Sequence, residues 1–268
     1  RTWADKYYES VEDKGGSLDN LNAVKLYIGL YYNTNATETD KSNYKTAISR
    51  AQKGLKAHNT KYAIKSGTLA GENVVGGWFH KEAYNNQMWL DGAYMGSALL
   101  AQIVNFNGTG SNVFGSTTAD WDMVTKQLNI VWNMCWNAND KLMYHAFEAN
   151  AGTKESNSHA DTWAGLNGKT EPYTFHSAAY WGRANAWYLM ALVDVLEAMK
   201  NAGQENTTNY TTLKQHLAEL AAGIAARQDA TTGGWYQVMD KDASFTASSY
   251  NSNWNGKPAS VTNYIETS

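Results

Sequence analysis

The sequence predicts an all-α protein. Apolar side chains recur at helical spacing along most of the 268 residues, and segments that alternate apolar and polar residues, as strands do, are scarce. Only 2 prolines occur, so long helices can run without interruption. Hydrophobic residues make up 43% and charged residues 18%, which is typical of a folded globular chain. Nothing in the sequence marks a second domain, so we expect residues 1–268 to form a single domain.

Seven helices are predicted in chain order. The first is a short helix over residues 1–11. The next four follow from the stripes Leu21, Val24, Ile28 and Tyr31; Tyr44, Ala47, Ile48, Ala51 and Leu55; Met88, Gly92, Met95, Leu99 and Gln102; and Trp121, Val124, Leu128, Val131 and Cys135. The last two follow from Leu189, Leu192, Leu196 and Met199, and from Leu213, Leu217, Leu220 and Ile224. We expect Thr117 and Thr118 to cap the fifth helix, and Thr211 and Thr212 the seventh.

Three long connections separate these helices, at roughly 58–85, 136–178 and 228–268. Long loops in a compact domain are usually functional or disordered. Aromatic and histidine side chains make disorder a poor interpretation here, and we expect them to form the walls of a site. They are Trp78, His80, Tyr144, His145, Trp163, His176, Trp235 and Tyr236.

Composition excludes several classes of partner. A net charge of −3 offers no electrostatic footprint for nucleic acid or for an anionic membrane, and no apolar run approaches the length of a membrane span. The single Cys135 excludes an intramolecular disulfide, and its helical spacing favours a buried small hydrophobe. The 11 Trp, 17 Tyr and 6 Phe favour core packing first, and sugar-stacking platforms second.

Asp91 is the most informative ionisable residue. It lies in an apolar segment beside Met88, Trp89 and Tyr94, where an ionised carboxylate is costly unless it is paired or hydrogen-bonded. A catalytic acid and a structural or solvent-facing aspartate are equally consistent with the residues alone. Arg183, between two tryptophans in the sequence, has the same two interpretations: an ordinary ion pair, or a fork of donors for a substrate carboxylate.

Other kinds of site find little support. His80 and His145 are conceivable metal ligands, but no HExxH or other tight ligand spacing accompanies them. Glycine-rich phosphate loops and serine nucleophile elbows are absent. We therefore expect no metal and no cofactor.

Two long motifs carry a family resemblance. Asn-Asn-Gln-Met-Trp-Leu-Asp-Gly-Ala-Tyr-Met-Gly at 85–96 and Trp-Gly-Arg-Ala-Asn-Ala-Trp at 181–187 resemble signatures of glycoside hydrolase family 105, the unsaturated rhamnogalacturonyl hydrolases and their relatives. Shorter matches follow in the family's order. They are Ser-Leu-Asp at 17–19, Tyr-His at 144–145, Gly-Trp-Tyr-Gln-Val-Met-Asp at 234–240 and Asn-Tyr-Ile-Glu-Thr-Ser at 263–268.

The resemblance implies an (α/α)6 barrel, a toroid of six helical hairpins with a pocket at one mouth. Seven predicted helices are fewer than the twelve of that barrel, so we expect it to be incomplete in this chain, which would then lack the family's first and last helices. The resemblance also implies that Asp91 is the general acid and base and that Asp19 is a second acidic residue near the substrate hydroxyls. Residues that match the terminal-sugar subsite are His80, Trp89, His145, Trp181, Arg183 and Trp187. One departure is that Ala184 and Ala186 stand where the family usually has glycine, which we expect to narrow a turn near Arg183.

The implied function is removal of a 4,5-unsaturated uronic acid from the non-reducing end of lyase-generated oligosaccharides, by hydration of the C4=C5 double bond. The expected partner is that oligosaccharide, from pectin, rhamnogalacturonan or a similar polymer, and the expected compartment is bacterial, either periplasm, which is favoured, or cytoplasm. Two alternatives stay open: an ordinary inverting glycosidase using Asp19 and Asp91, and a non-catalytic sugar-binding protein. The sequence leaves the oligomeric state open.

Overall fold

The computed structural model describes residues 2–66, 73–106, 112–149, 175–177, 179–241 and 263–266. Helices dominate them, as predicted. They are α1 (Thr2–Tyr7) with a 3-10 turn (Tyr8–Ser10), α2 (Leu18–Asn22), α3 (Val24–Tyr31), α4 (Glu38–Lys61), α5 (Leu90–Gly92), a π-helical turn (Ala93–Ala98), α6 (Leu99–Asn105), α7 (Thr117–Cys135), α8 (Gly182–Asn201) and α9 (Thr208–Ala225).

The described helices form three hairpins around one core. In each hairpin an inner element packs on an outer helix: α2 and α3 on α4, the α5-to-α6 segment on α7, and α8 on α9. The inner elements also pack on one another. Each outer helix buries the face that its apolar stripe predicted; Ile48, Val124 and Leu213, for example, are fully buried. The burial of Cys135, which raises the pKa of its thiol, confirms that it is a core side chain.

Within the described residues, three short antiparallel ribbons connect the helices. They pair β1 (Gln87–Trp89) with β4 (Ala146–Glu148), β2 (Trp136–Asn137) with β3 (Leu142–Met143), and β5 (Trp235–Tyr236) with β6 (Ile265–Glu266). Met88 is therefore in a strand, opposite Phe147. Its assignment to a helix was wrong because the apolar spacing runs on across the boundary at Leu90, which no proline or cap marks.

Helix ends were predicted less well than helix faces. The side chain of Ser116 caps α7, accepting from the amide of Ala119 at 3.2 Å, and Thr207 caps α9, accepting from Tyr210 at 3.2 Å. The predicted threonine caps lie inside these helices. The stripe from Leu21 to Tyr31 is divided at Ala23 into α2 and α3.

The prediction that the aromatic residues of the long connections line a site is only partly correct. Trp78 is 2% exposed, and its Nε1 donates to Oδ1 of Asn59 at 2.8 Å, so its assignment to a site wall was wrong and it is a core residue. Trp163 lies outside the described residues. No described helix has both the length and the apolarity that crossing a membrane requires.

Candidate active site

Three of the predicted site residues lie at the same end of the inner elements. Asp19 is in the first turn of α2, Asp91 in the first turn of α5, and Arg183 in the first turn of α8. Because the inner elements pack side by side, residues far apart in the sequence meet at one mouth of the helical assembly. Of the other predicted site residues, Trp187 lies one turn after Arg183 on α8, and the rest lie in or beside the ribbons at this mouth.

Asp19 is held by two consecutive residues of the loop after α4. The amide of Leu18 donates to the carbonyl of His80 at 3.1 Å, which ties the start of α2 to this loop. Nε2 of His80 then lies 3.4 Å from Oδ1 of Asp19, and the ammonium of Lys81 forms an ion pair with Oδ2. Both carboxylate oxygens of Asp19 are therefore engaged, one by a ring nitrogen and one by a cation.

A group of stacked aromatic rings extends from His80 to His145. The His80 ring stacks with Trp89 at 5.6 Å between centroids and with Tyr84 at 6.4 Å, and Tyr84 stacks on Trp89 at 5.6 Å. The edge of this group meets His145, whose ring is 5.5 Å from that of Trp89. His80 and Trp89, both predicted for the sugar subsite, are thus in contact. Tyr84, which was not predicted, stacks on both of them.

The ribbon of β1 and β4 places Trp89 beside His145. Trp89 pairs with Ala146, and the amide of Leu90 donates to the carbonyl of His145 at 3.0 Å. The amide of His145 donates in turn to Oγ of Ser177 at 3.0 Å. The same ribbon ends directly before α5, so it also sets where Asp91 enters the site.

Gly92 allows this close approach. A Cβ atom at this position would lie 2.9 Å from Nδ1 of His80 and 3.4 Å from Cδ1 of Leu18. Separations below 3.0 Å are not sustained by real Cβ atoms, so any other residue would displace the His80 ring or the helix. The close packing of His80 against α5 therefore explains why glycine follows Asp91 in the 85–96 motif.

The environment of Asp91 favours its protonated form. Burial raises the pKa of its carboxyl, and the negative charge of Asp19 raises it further. The hydrogen bond from the backbone amide of Asp91 itself lowers this pKa by more than Asp19 raises it, and the positive charge of Arg183 lowers it by a smaller amount, but burial outweighs both. Asp19 and Asp91 thus interact electrostatically, a relationship that only the family resemblance had suggested.

The two predicted histidines are neutral near pH 7. Burial lowers the pKa of His80 to about 4; Asp19 opposes this and Lys81 reinforces it. Burial lowers the pKa of His145 to about 4 as well. Both rings can therefore donate or accept hydrogen bonds but bring no charge, which leaves Arg183 and Lys81 as the cations of the described site.

Arg183 stacks on one of its two neighbouring tryptophans. Its guanidinium carbon is 5.0 Å from the ring centroid of Trp181, and Trp181 contacts His145 edge to face at 6.1 Å. Trp187, one turn further along α8, packs against Tyr94 at 4.9 Å. Ala184 is fully buried within the regular helix α8, and Ala186 is in the same helix, so the expected narrow turn is not present.

The 234–240 motif anchors the start of α8. The amide of Gly182 donates to the carbonyl of Gln237 at 2.9 Å, and that of Met239 to the carbonyl of Tyr180 at 2.9 Å. A cleft of about 190 Å³ lies between this segment, α8 and α9. It is lined by Gly182, Arg183, Ala186, Leu189, Ile224, Trp235, Tyr236 and Met239.

Several buried polar atoms at this mouth have no hydrogen-bond partner among the described residues. They are Oδ2 of Asp91, Nδ1 of His80 and Nε1 of Trp181. Buried polar atoms are rarely left unsatisfied, and exceptions often mark a functional site. Other such atoms, among them Nε1 of Trp121, lie elsewhere in the described residues, but these three belong to predicted site residues, where a polar ligand would complete their hydrogen bonds.

Three residues that contact the predicted site residues were not predicted from the sequence as part of the site. Lys81 and Tyr84 lie close to His80 in the sequence, and Tyr94 lies inside the 85–96 motif. This proximity to predicted site residues could have indicated them. Their roles depend on partners distant in the chain, which spacing cannot show. Within the described residues, no group of three His, Cys, Asp or Glu side chains is arranged to hold a metal ion.

Comparison with known proteins settles the family. A family model described as Glycosyl Hydrolase Family 88 matches residues 1–252. The chain belongs to this family. Among solved structures, a family 105 glycoside hydrolase from C. acetobutylicum ATCC 824 is 26% identical with a TM-score of 0.64, over 89% of this chain and 56% of that one. The resemblance to family 105 and the (α/α)6 barrel as the fold class are thereby confirmed.

More distant structures support the fold alone. A family 88 glycosyl hydrolase from Bacteroides vulgatus is 12% identical with a TM-score of 0.54, over 89% of this chain and 57% of that one. A protein described as a polysaccharide lyase is 15% identical with a TM-score of 0.56, over 90% and 58% respectively. The chain spans a little over half the length of these solved structures.

Proposed function

We propose that this protein is a glycoside hydrolase that removes a 4,5-unsaturated uronic acid from the non-reducing end of lyase-generated oligosaccharides, with Asp91 as the proton donor. The observation that carries the proposal is the state of Asp91: a carboxyl with a raised pKa and one buried oxygen without a partner among the described residues. We also propose that the described helices belong to a single catalytic domain, because they share one core.

A raised pKa suits a group that acts first as an acid and then as a base. Such a group works best when its pKa lies near the working pH. The desolvated site and the nearby charge of Asp19 shift Asp91 in that direction, by the same physics that raises the pKa of catalytic acids in other glycosidases.

Hydration is favoured over inverting hydrolysis by the partners of Asp19. An inverting enzyme needs a second carboxylate that activates water. Both oxygens of Asp19 are already engaged, by His80 and by Lys81. Held by both partners, this carboxylate is fixed as an acceptor for sugar hydroxyls through its remaining lone pairs, which is the role that the hydration reaction gives it.

Recognition of the uronate follows from the remaining residues. Arg183 presents a planar fork that matches a carboxylate, and its place in the first turn of the 20-residue helix α8 favours an anion. The rings of Trp89, Trp181 and Trp187 offer flat apolar faces for a sugar. His80 and His145, both neutral, supply hydrogen bonds without adding charge.

The proposed reaction begins at the enol ether of the substrate. Asp91 transfers a proton to C4, and oxocarbenium character develops between C5 and the ring oxygen. The Asp91 carboxylate then takes a proton from a water molecule whose oxygen bonds to C5. The resulting hemiketal opens to a C5 ketone by breaking its bond to the ring oxygen, and the hemiacetal left at C1 releases the neighbouring sugar. Rhamnogalacturonan fragments are the first substrates to test.

An isotope experiment distinguishes the two reactions. In deuterated water containing ¹⁸O, brief reaction with an unsaturated disaccharide should place deuterium at C4 and ¹⁸O at C5 of the 4-deoxy-5-keto product, with loss of the ultraviolet absorbance of the double bond. An inverting glycosidase would place ¹⁸O at C1 and leave the double bond intact. That second outcome would overturn the proposal, as would binding without turnover, which would favour the sugar-binding alternative.

A further inference from the structure

One largely buried lysine joins all three inner elements of the site. Lys25 lies on α3, with 14% of its side chain exposed. Its ammonium donates to the backbone carbonyl of Tyr94 at 2.9 Å and lies 3.2 Å from the centroid of the Tyr94 ring. It also lies 4.0 Å from Oδ2 of Asp194 on α8. A single cation therefore links α3, the π-helical turn and α8.

The π-helical turn is the segment that follows Asp91. It covers Ala93–Ala98 and starts immediately after α5. π-Helical turns are rare, interrupt the regular hydrogen-bond ladder of an α-helix and are frequent at functional sites. Because the hydrogen-bond ladder is interrupted here, the geometry of this turn depends more strongly on contacts with neighbouring elements. The carbonyl of Tyr94 receives such a contact from Lys25.

Tyr94 extends the link to the binding side of the site. Its ring packs against Trp187 at 4.9 Å with an interplanar angle of 35°. Trp187 lies one helical turn after Arg183. We define the lysine cluster as Lys25, Tyr94, Trp187 and Asp194. It begins about one turn below Asp91 and Arg183, at Tyr94 and Trp187, and reaches Asp194 about two turns further along α8.

Stability alone is a poor reason for such a group. Burial lowers the pKa of Lys25 to about 8, with Asp194 opposing that shift. Burial raises the pKa of Asp194, Glu197 reinforces this, and Lys25 opposes it. A partly buried ion pair of this kind, 4.0 Å apart, is often no more stable than well-packed apolar side chains of similar size. What an apolar pair cannot provide is a directional bond to the Tyr94 carbonyl.

We propose that Lys25 is a positioning residue, whose ammonium fixes the π-helical turn against α3 and α8 and so holds the Asp91 carboxyl in register with Arg183. This rests on the proposed function, because it takes Asp91 to be the proton donor. Lys25 acts through the backbone carbonyl of Tyr94. Misplacement of an acid by about 1 Å can cost up to about 10²-fold in rate.

The test compares two lysine-to-methionine variants. Lys25→Met keeps most of the apolar stem but removes the ammonium, and we expect kcat to fall about tenfold to hundredfold with KM changed less than about threefold. Lys45→Met is the matched control, because Lys45 also lies over a tyrosine ring, 5.4 Å from the centroid of Tyr31, but on the outer helix α4. It should retain the wild-type kcat. Wild-type kcat in Lys25→Met, or an equal loss in Lys45→Met, would overturn the proposal.

A second variant covers the case in which Lys25→Met does not fold. Asp194→Asn removes the anion but keeps side-chain size, and kcat should fall in the same direction by a smaller factor. If both variants fold, the double variant should lose no more than Lys25→Met alone, since coupled residues are not additive. A wild-type kcat in Asp194→Asn, or fully additive losses, would count against the cluster.

Amide hydrogen exchange provides a measurement that does not depend on turnover. The amides of residues 93–98 should exchange at least about tenfold faster in Lys25→Met and at the wild-type rate in Lys45→Met. If the wild-type protein turns over no unsaturated oligosaccharide, the proposed function fails while this comparison still tests the link. Unchanged exchange in Lys25→Met would overturn the positioning role by itself.

Discussion

Nε2 of His80 lies 3.4 Å from Oδ1 of Asp19, although 60 residues of sequence separate them. Lys81 binds the other oxygen of the same carboxylate. Asp19 is therefore a charge whose partners are in place before any substrate arrives, and Asp91 is the acid that experiences its field. The predictions below test this division of roles.

Replacing Asp91 with asparagine should abolish most of the activity. Asp91→Asn keeps size and hydrogen bonding but cannot transfer a proton, and general acid–base catalysis accounts for about 10²–10⁴-fold in rate. We expect kcat to fall by at least that factor, measured as loss of ultraviolet absorbance from an unsaturated oligosaccharide. Asp122→Asn, on the exposed face of α7, is the matched control and should keep wild-type kcat. A folded Asp91→Asn protein with near-normal turnover would refute the assignment.

The same variant should be more stable than the wild-type protein at neutral pH. The folded-state pKa of Asp91 is raised, so its carboxyl destabilises the fold as pH rises from the unfolded value of 3.8 through the folded value. Asp91→Asn removes that cost. Its unfolding free energy from urea titration should exceed that of the wild type at pH 7 and approach it below pH 3.8. A variant less stable at pH 7 would show that the carboxylate is well compensated in the fold.

Arginine at position 183 should not be replaceable by lysine. A point charge cannot reproduce the planar fork, or its stacking on Trp181 at 5.0 Å. We expect Arg183→Lys to lower kcat/KM about tenfold to hundredfold, equivalent to about 1.4–2.8 kcal/mol. Arg227→Lys serves as the control, because Arg227 pairs with Asp140 in the loop between β2 and β3. Equal kcat/KM values for Arg183→Lys and wild type would argue against carboxylate binding.

Gly92 should tolerate no side chain. In Gly92→Ala the new Cβ meets Nδ1 of His80 at 2.9 Å, so the His80 ring must move and its contact with Asp19 is disturbed. We expect reduced kcat and lower thermal stability. Gly29→Ala on α3 is the contrast, since a Cβ there meets nothing within 4 Å and alanine in a helix gains about 0.5–1 kcal/mol over glycine. The two variants should therefore shift Tm in opposite directions, and a shared direction would contradict the steric argument.

Acid should loosen the segment that carries Asp19. Nδ1 of His58 accepts from the amide of Gly16 at 3.1 Å, and its Nε2 is 2.8 Å from the carbonyl of Phe79, so the neutral ring joins the two loops beside the site. Burial lowers the pKa of His58 to about 4. A histidine with a lowered pKa contributes stability that is present above pH 6.5 and is lost as pH falls toward 4.

His58→Gln provides the check on that window. Glutamine does not titrate, so the decrease in unfolding free energy between pH 6.5 and 4 should be smaller in this variant than in the wild type, although the variant is less stable at pH 7. His80, His145 and His216, whose pKa values burial also lowers to about 4, and His176, whose pKa burial lowers as well, should contribute to the remaining acid sensitivity. An identical pH dependence in both proteins would contradict the role of His58.

The sequence by itself determined the helical class, the buried faces of the outer helices and the two long motifs. These are local properties: helical spacing shows which face is apolar, and Asp91 and Arg183 stand out because each is an ionisable group among aromatic neighbours. The family followed from the motifs for the same reason, since each is a continuous run of residues.

Only the tertiary structure decided which groups meet. The pairing of Asp19 with His80 and Lys81, the link from Lys25 to Tyr94, and the strand at Met88 all depend on segments distant in the chain. A one-dimensional pattern contains spacing but no distances between separate elements, so it cannot give the burial or the fields that shift a pKa. The charge state of His80 is therefore a property of the packed site, where loss of water outweighs the attraction of Asp19.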